Sequence, residues 1–147
     1  MTRPVAACAL TAALFAAGCG DSRLDSGELH DKVSAACAQA HKELAALPDP
    51  TDQATAERFA SGGSKATKLL IKNLSGLKPP TELEQSYSSA VGLVRQQGRA
   101  IDSASRKLSR GGDAVVVIRQ LSDESVEVAS QEHAAWQALG VPACADR

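Results

Sequence analysis

Residues 81–109 read TELEQSYSSAVGLVRQQGRAIDSASRKLS, and the placing of apolar side chains in this stretch decides the fold. Leu83, Tyr87, Ala90, Val94, Ile101, Ala104 and Leu108 recur at intervals of three, four or seven. That spacing lines up one face of an α-helix, whereas a half-buried strand would need strict alternation. The stretch is bounded by Pro79-Pro80 before it and Gly111-Gly112 after it, residues that punctuate helices. It therefore predicts a helix over 81–109 with one buried stripe.

The same period extends outward in both directions. Upstream, residues 51–77 carry Ala56, Phe59, Gly63, Ala66, Leu70, Leu74 and Leu77 on one face. Gly62-Gly63 in the middle weakens this helix, since each glycine costs about 1 kcal/mol against alanine; a close helix contact or a kink is expected there. Further upstream, residues 26–47 carry Leu29, Val33, Cys37, Ala40, Leu44 and Leu47. Asp25 followed three residues later by Glu28 reads as a capping box, and Pro48-Asp49-Pro50 ends the segment. Downstream, residues 113–139 carry Ala114, Val117, Ile118, Leu121, Ser125, Val128, Ala135, Trp136 and Leu139. Asp113 is a natural N-cap and Gly140 a natural C′ residue. The run Val115-Val116-Val117-Ile118 has strand propensity, but a strand here would have no partner, so the segment reads as helix. Four amphipathic segments joined by short connections predict an all-α, antiparallel up-down-up-down four-helix bundle. In that topology the first helix lies beside the fourth.

The start of the chain reads differently. Met1-Thr2-Arg3 is followed by an apolar run from Pro4 to Ala17, too short to span a bilayer, which needs about 20 apolar residues. A charged start, a short apolar stretch and small residues at its end make a secretory signal. The end, Ala16-Ala17-Gly18-Cys19, resembles a bacterial lipobox, although many lipoboxes have Leu where Ala16 stands. Residues 1–18 are thus expected to be a lipoprotein signal peptide, with Cys19 the lipid-attachment site on the extracytoplasmic face of the cell membrane. The alternative is an ordinary secreted protein with a free cysteine at its start. Residues 19–25 read as a polar tether and 26–147 as a single domain.

Export bears on the cysteines. With Cys8 in the signal and Cys19 acylated, Cys37 and Cys144 remain. An even pair in an oxidising compartment is usually bridged, so a Cys37–Cys144 disulfide is predicted; the alternatives are two buried thiols or, less readily, half of a metal site. Cys37 lies about 16 Å up the first helix, so the tail after Gly140 must climb to reach it.

After cleavage the only aromatic residues are Phe59, Tyr87 and Trp136. Tyr87 and Trp136 lie on buried stripes and read as core, although their polar tips could line a ligand slot. Charge is partitioned along the chain. Residues 51–111 carry ten Lys/Arg, among them Arg58, Lys65, Lys68, Lys72, Arg95 and Arg99, against five Asp/Glu. The flanking helices are net acidic. One reading is a set of solvated faces whose opposite charges help neighbouring helices pair. The other is a basic contact surface for an envelope protein or an anionic surface. Nucleic acid fits poorly, because no aromatics interleave the basic residues to stack bases.

Signatures of chemistry are missing. None of His30, His41 and His133 has Glu three residues before it, as di-iron bundles require, and the only methionine is Met1. There is no Gly-x-Ser-x-Gly elbow and no Gly-x-Gly-x-x-Gly or P-loop pattern. Ser75-Gly76-Leu77-Lys78 matches Ser-x-x-Lys but lacks its companion motifs. The paired carboxylates Asp123-Glu124 and Glu82-x-Glu84 do not share a helix face. Neither a metal, another cofactor nor an enzymatic activity is expected.

Four features resemble a loose group of small lipoproteins of actinobacteria. They are the Gly18-Cys19 lipobox ending; Ala36-Cys37-Ala38 followed by Glu43-Leu44-Ala45-Ala46-Leu47-Pro48; the Leu77-Lys78-Pro79-Pro80 break; and the closing Ala138-Leu139-Gly140-Val141-Pro142-Ala143-Cys144. The resemblance implies a lipid-anchored, disulfide-closed helical domain and carries over no catalytic residue. The function expected is that of a binding or accessory protein of the cell envelope. The alternative is a small-molecule carrier with an apolar slot near Tyr87 and Trp136.

Overall fold

The computed structural model describes residues 23–145. The expected signal peptide, the Cys19 lipid-attachment site and the first part of the tether lie outside the described residues. Among those described, four long helices run α1 Ser26–Ala45, α2 Gln53–Ser75, α3 Glu84–Ser109 and α4 Ala114–Ala138. A 3₁₀ turn over Thr81–Leu83 leads into α3, and a short helix α5, Pro142–Ala145, closes the described chain.

Local signals set these boundaries. The capping box at Asp25 forms as the sequence predicts: Glu28 N donates to Asp25 Oδ1, and Asp25 N donates to the Glu28 carboxylate. Asp52 makes a second box with Thr55, whose backbone N–H holds the Asp52 carboxyl below the usual carboxylate range. Asp113 caps α4 through Val116 N. The chain leaves α3 and α4 through paired reverse hydrogen bonds: Gly111 N to Leu108 O with Gly112 N to Lys107 O, and Gly140 N to Gln137 O with Val141 N to Trp136 O. These are Schellman motifs, whose C′ residue takes a left-handed conformation; Gly111 (φ 83°) and Gly140 (φ 71°) supply it.

Packing divides the core in two. The larger part joins Leu29, Val33 and Cys37 of α1, Leu70 and Leu74 of α2, Tyr87 and Val94 of α3, Trp136 of α4, and Val141 and Cys144. The smaller part, toward the α3–α4 turn, is built from Ala56, Ala60, Ala104, Leu108 and Val117. The paired glycines of α2 do not break the helix. Gly62 faces Leu47, whose Cδ2 occupies the space a Cβ would need, so the absence of a side chain lets the α1–α2 connection close down. The valine run is helical, with Val115 and Val116 exposed.

One expectation needs correction. α1 is adjacent to α2, α2 to α3 and α3 to α4, but no Cα of α1 comes within 8 Å of α4. α5 lies between them and contacts both. The cause is the way back from Gly140. The chain passes His30, close enough that a Cβ on Gly140 would lie 3.3 Å from its Cε1, and climbs α1 until Cys144 meets Cys37. The two cysteines form the disulfide, with Cα atoms 5.2 Å apart. The bridge thus closes the bundle through a wedge rather than through direct helix contact. No helix among the described residues is long and apolar enough to cross a membrane.

Candidate functional site

The end of the bundle nearest the start of the described chain holds a concavity lined by polar and charged side chains. α2 ends at Ser75, and the carbonyls of its last turn lack helical partners. Tyr87 satisfies one of them: its hydroxyl donates to Leu74 O at 2.7 Å. This buried bond fixes the first turns of α3 against the end of α2. Burial pushes the phenol up to about 12. Two turns further along α3, Arg95 Nη2 donates to Ser75 Oγ at 2.8 Å. On the other side, residues read as tether are strapped onto the body. Leu24 N donates to Lys78 O at 2.9 Å, and Arg23 Nη1 donates to Pro79 O at 3.2 Å and to Glu84 Oε2 at 2.9 Å. Leu24 packs against the core.

These ties enclose a cleft of about 340 Å³. Arg23, Lys78 and Arg95 line it with Ser75, Tyr87 and the carboxylate of Glu84. Among the described residues, three cations and one carboxylate line it, and its walls supply hydroxyl groups. Arg95 also borders a second groove of about 250 Å³, between α2 and α3, with Lys68, Ile71, Gly98, Arg99 and Asp102. The helices approach closely there: a Cβ on Gly98 would lie 3.0 Å from Ile71 Cδ1 and 3.1 Å from Thr67 Cγ2. Asp102 is occupied, since it takes hydrogen bonds from Ser64 (2.9 Å), Lys68 (2.5 Å) and Arg106. The first two hold its carboxyl below the usual range. The α2–α3 seam is therefore one basic track in which Arg95 links two depressions.

The structure distributes the other sequence-derived site residues as follows. Cys37 and Cys144 are joined and buried. Tyr87 and Trp136 meet edge to face at 6.2 Å between ring centroids. Trp136 has no exposed surface and donates from Nε1 to Glu132 Oε1 at 3.2 Å, so the two rings fill the space where a slot was considered. Lys65, Lys68 and Lys72 are exposed on α2, and Arg95 and Arg99 on α3. Arg58 stands apart from these, in a separate shallow groove with Ser61, Ser105 and Ser109. Among the described residues, no group of three His, Cys, Asp or Glu side chains is placed to hold a metal ion.

Sequence reasoning missed several participants. Arg23 and Glu84 are brought together by the strap, across 61 positions, with nothing local to announce it. Lys78 and Ser75 stand in the Ser-x-x-Lys match, which lacks its companion motifs and so marks neither residue as part of a site. Glu132 is buried on the same face of α4 as Val128 and Trp136, four residues from each; that spacing was the available signal, since a carboxylate one turn before Trp136 can meet its indole N–H.

Compared with known proteins, the chain matches no protein-family model, no curated protein sequence and no solved structure.

Proposed function

We propose that this chain is a lipid-anchored helical-bundle protein of the extracytoplasmic face of the cell membrane, serving the envelope as a binding or accessory component and not as an enzyme. The observation that carries the reading is the bridge between Cys37 and Cys144. A buried disulfide spanning 107 positions belongs to a compartment where thiols are not kept reduced. That agrees with the export signal read at residues 1–18 and with the lipobox at Cys19, as in the actinobacterial lipoproteins the sequence resembles. The contact surface in this reading is the basic α2–α3 seam, where Arg95 and Arg99 have no carboxylate partner among the described residues. A carrier with an internal apolar slot gains no support, since Tyr87 and Trp136 occupy each other's space.

Intact-mass measurement of the protein purified from membranes tests the reading. The expected species begins at Cys19, carries the added mass of acyl chains, and is two hydrogens lighter than the dithiol. A water-soluble species without acyl mass, or one whose Cys37 and Cys144 are alkylated without prior reduction, overturns it.

A further inference from the structure

We infer that the bundle lies on its side on the membrane, with the α2–α3 seam docked on anionic phospholipid headgroups. The inference rests on the proposed anchor at Cys19 and adds an orientation and a ligand class to it.

The strap supplies the first argument. Arg23 and Leu24 are fastened to Pro79 and Lys78 at the end of α2 and to Glu84 at the start of α3. The chain therefore leaves the body on the α2–α3 side. Cys19 is four residues from Arg23, a reach of at most about 14 Å when fully extended. α3, with its 26 residues, is about 39 Å long. An anchor on so short a lead cannot reach far past the strapped end of the bundle. It holds the seam, or the end of the bundle beside it, at the headgroups.

Charge supplies the second. An anionic surface attracts cations within a Debye length, about 10 Å at 0.1 M salt, and each contributes roughly fivefold to partitioning. The side brought near carries Lys65, Lys72, Arg95 and Arg99, all exposed, together with Lys68, which is paired with Asp102. Asp102, the carboxylate on the second groove, is already neutralised by Lys68 and Arg106, and Glu84 by Arg23. Of the acidic residues of α4, Asp123 and Glu127 sit on another helix and are exposed, while Glu124 borders the α3–α4 groove that Arg99 also lines.

The third argument is apolar. Leu69, 39% exposed, stands on the same helix face as Lys65 and Lys72, four and three residues away. A leucine ringed by lysines can enter the interface while its neighbours meet phosphates. At the end of α2, the cleft holding Arg23, Lys78 and Arg95 is about 340 Å³, room for a headgroup phosphodiester.

The test uses the mature chain, residues 19–147, with Cys19→Ser, so that only the face is measured. Sedimentation with vesicles containing about 30 mol % phosphatidylglycerol should show at least tenfold stronger partitioning than with phosphatidylcholine alone, and the difference should vanish near 0.5 M salt. Lys72→Gln/Arg95→Gln/Arg99→Gln should lower partitioning on the order of 100-fold, while Lys32→Gln/Lys42→Gln on α1 should leave it unchanged. Circular dichroism confirms that each variant is folded. Equal binding to both vesicle types, or an unaffected triple variant, overturns the inference. So does displacement by about 10 mM inorganic phosphate, which would point to a soluble phosphate ligand instead of a sheet of headgroups. The anchor is judged separately by mass: missing acyl groups with intact lipid selectivity remove the anchor alone, and the reverse result removes the docking face alone.

Discussion

Breaking the Cys37–Cys144 bridge gives the sharpest test of how the bundle is closed. The bridge spans 107 positions, nearly the whole described chain. Loop-closure entropy for such a span contributes about 4.8 kcal/mol at 25 °C, and measured bridges often give nearer 2. A domain of about 120 residues unfolds with an entropy near 0.25 kcal/mol/K, so the expected fall in Tm is between about 8 and 19 °C. The loss should be local in origin. α5 has four residues, too few to persist as a helix alone, and it is the element between α1 and α4. Its release should wet Trp136, which is fully buried and is the only tryptophan in the chain. The assay is calorimetry and tryptophan emission on oxidised protein, reduced protein and Cys37→Ala/Cys144→Ala. Comparing the first two removes no side-chain carbon, so it isolates the cross-link from the small volume lost in the double variant. A reduced protein within about 2 °C of the oxidised one, with unshifted emission, would refute the argument: α5 would then be held by packing alone.

Two further outcomes follow from single positions. Gly92 lies inside α3 with nothing within 4 Å of a Cβ built on it, so Gly92→Ala should stabilise by about 1 kcal/mol and raise Tm by roughly 4 °C; Gly98→Ala, crowded by Ile71 and Thr67, should gain less or lose, and equal gains would show that the close approach at Gly98 is absent. Tyr87 is the only tyrosine, so absorbance near 295 nm reports it alone. Its phenol should titrate near 12 in the folded protein against 10.0 when exposed. Because the folded value is the higher one, the stability this group supplies is complete below pH 10 and is lost as pH rises from there to about 12. A titration midpoint near 10 in folded protein would mean that the phenol is not buried against the end of α2.

Most of the fold was legible because helical spacing is a local signal. Leu29, Val33, Cys37 and Ala40 are all buried, as their three- and four-residue intervals require, and the caps at Asp25 and Asp113 stand where short polar side chains precede apolar runs. Helix adjacency was less legible, because it depends on where a tail of a few residues goes. Val141, Cys144 and Ala145 are all buried, yet so short a segment has no period to read. The Cys pair announced a link but not the wedge that makes it. The candidate site was half legible. Lys68, Lys72, Arg95 and Arg99 were visible as a run of like charge. The strap that sets Arg23 and Lys78 beside them depends on backbone hydrogen bonds between segments more than 50 residues apart, which no local pattern encodes.

The two parts of the core bear on the proposed docking face in different ways. Around the strap, the interior holds the large side chains, the aromatic pair and the disulfide. Toward the α3–α4 turn it is mostly alanine, with the helix ends held by Gln53, which accepts from Ala114 N and donates to Gly112 O. Small side chains bury less area each, at about 25 cal/mol per Å², so this half carries less of the hydrophobic stabilisation. The concentration of cross-links near the strap has a consequence for binding. Arg95 is held by Ser75, Tyr87 by Leu74 and Arg23 by Glu84, so the cleft's polar groups are fixed before any partner arrives. Each long side chain already ordered spares roughly 0.5–1.5 kcal/mol on association. A surface meant only to keep the protein soluble would gain nothing from that fixing, and Lys65 and Lys72 of α2 show what such unfixed positions look like on the same molecule. The pinned Arg23 and Arg95 and the unpinned Lys65, Lys72 and Arg99 divide this side into a shaped pocket and a diffuse field, the two features a headgroup and a charged sheet would engage in turn.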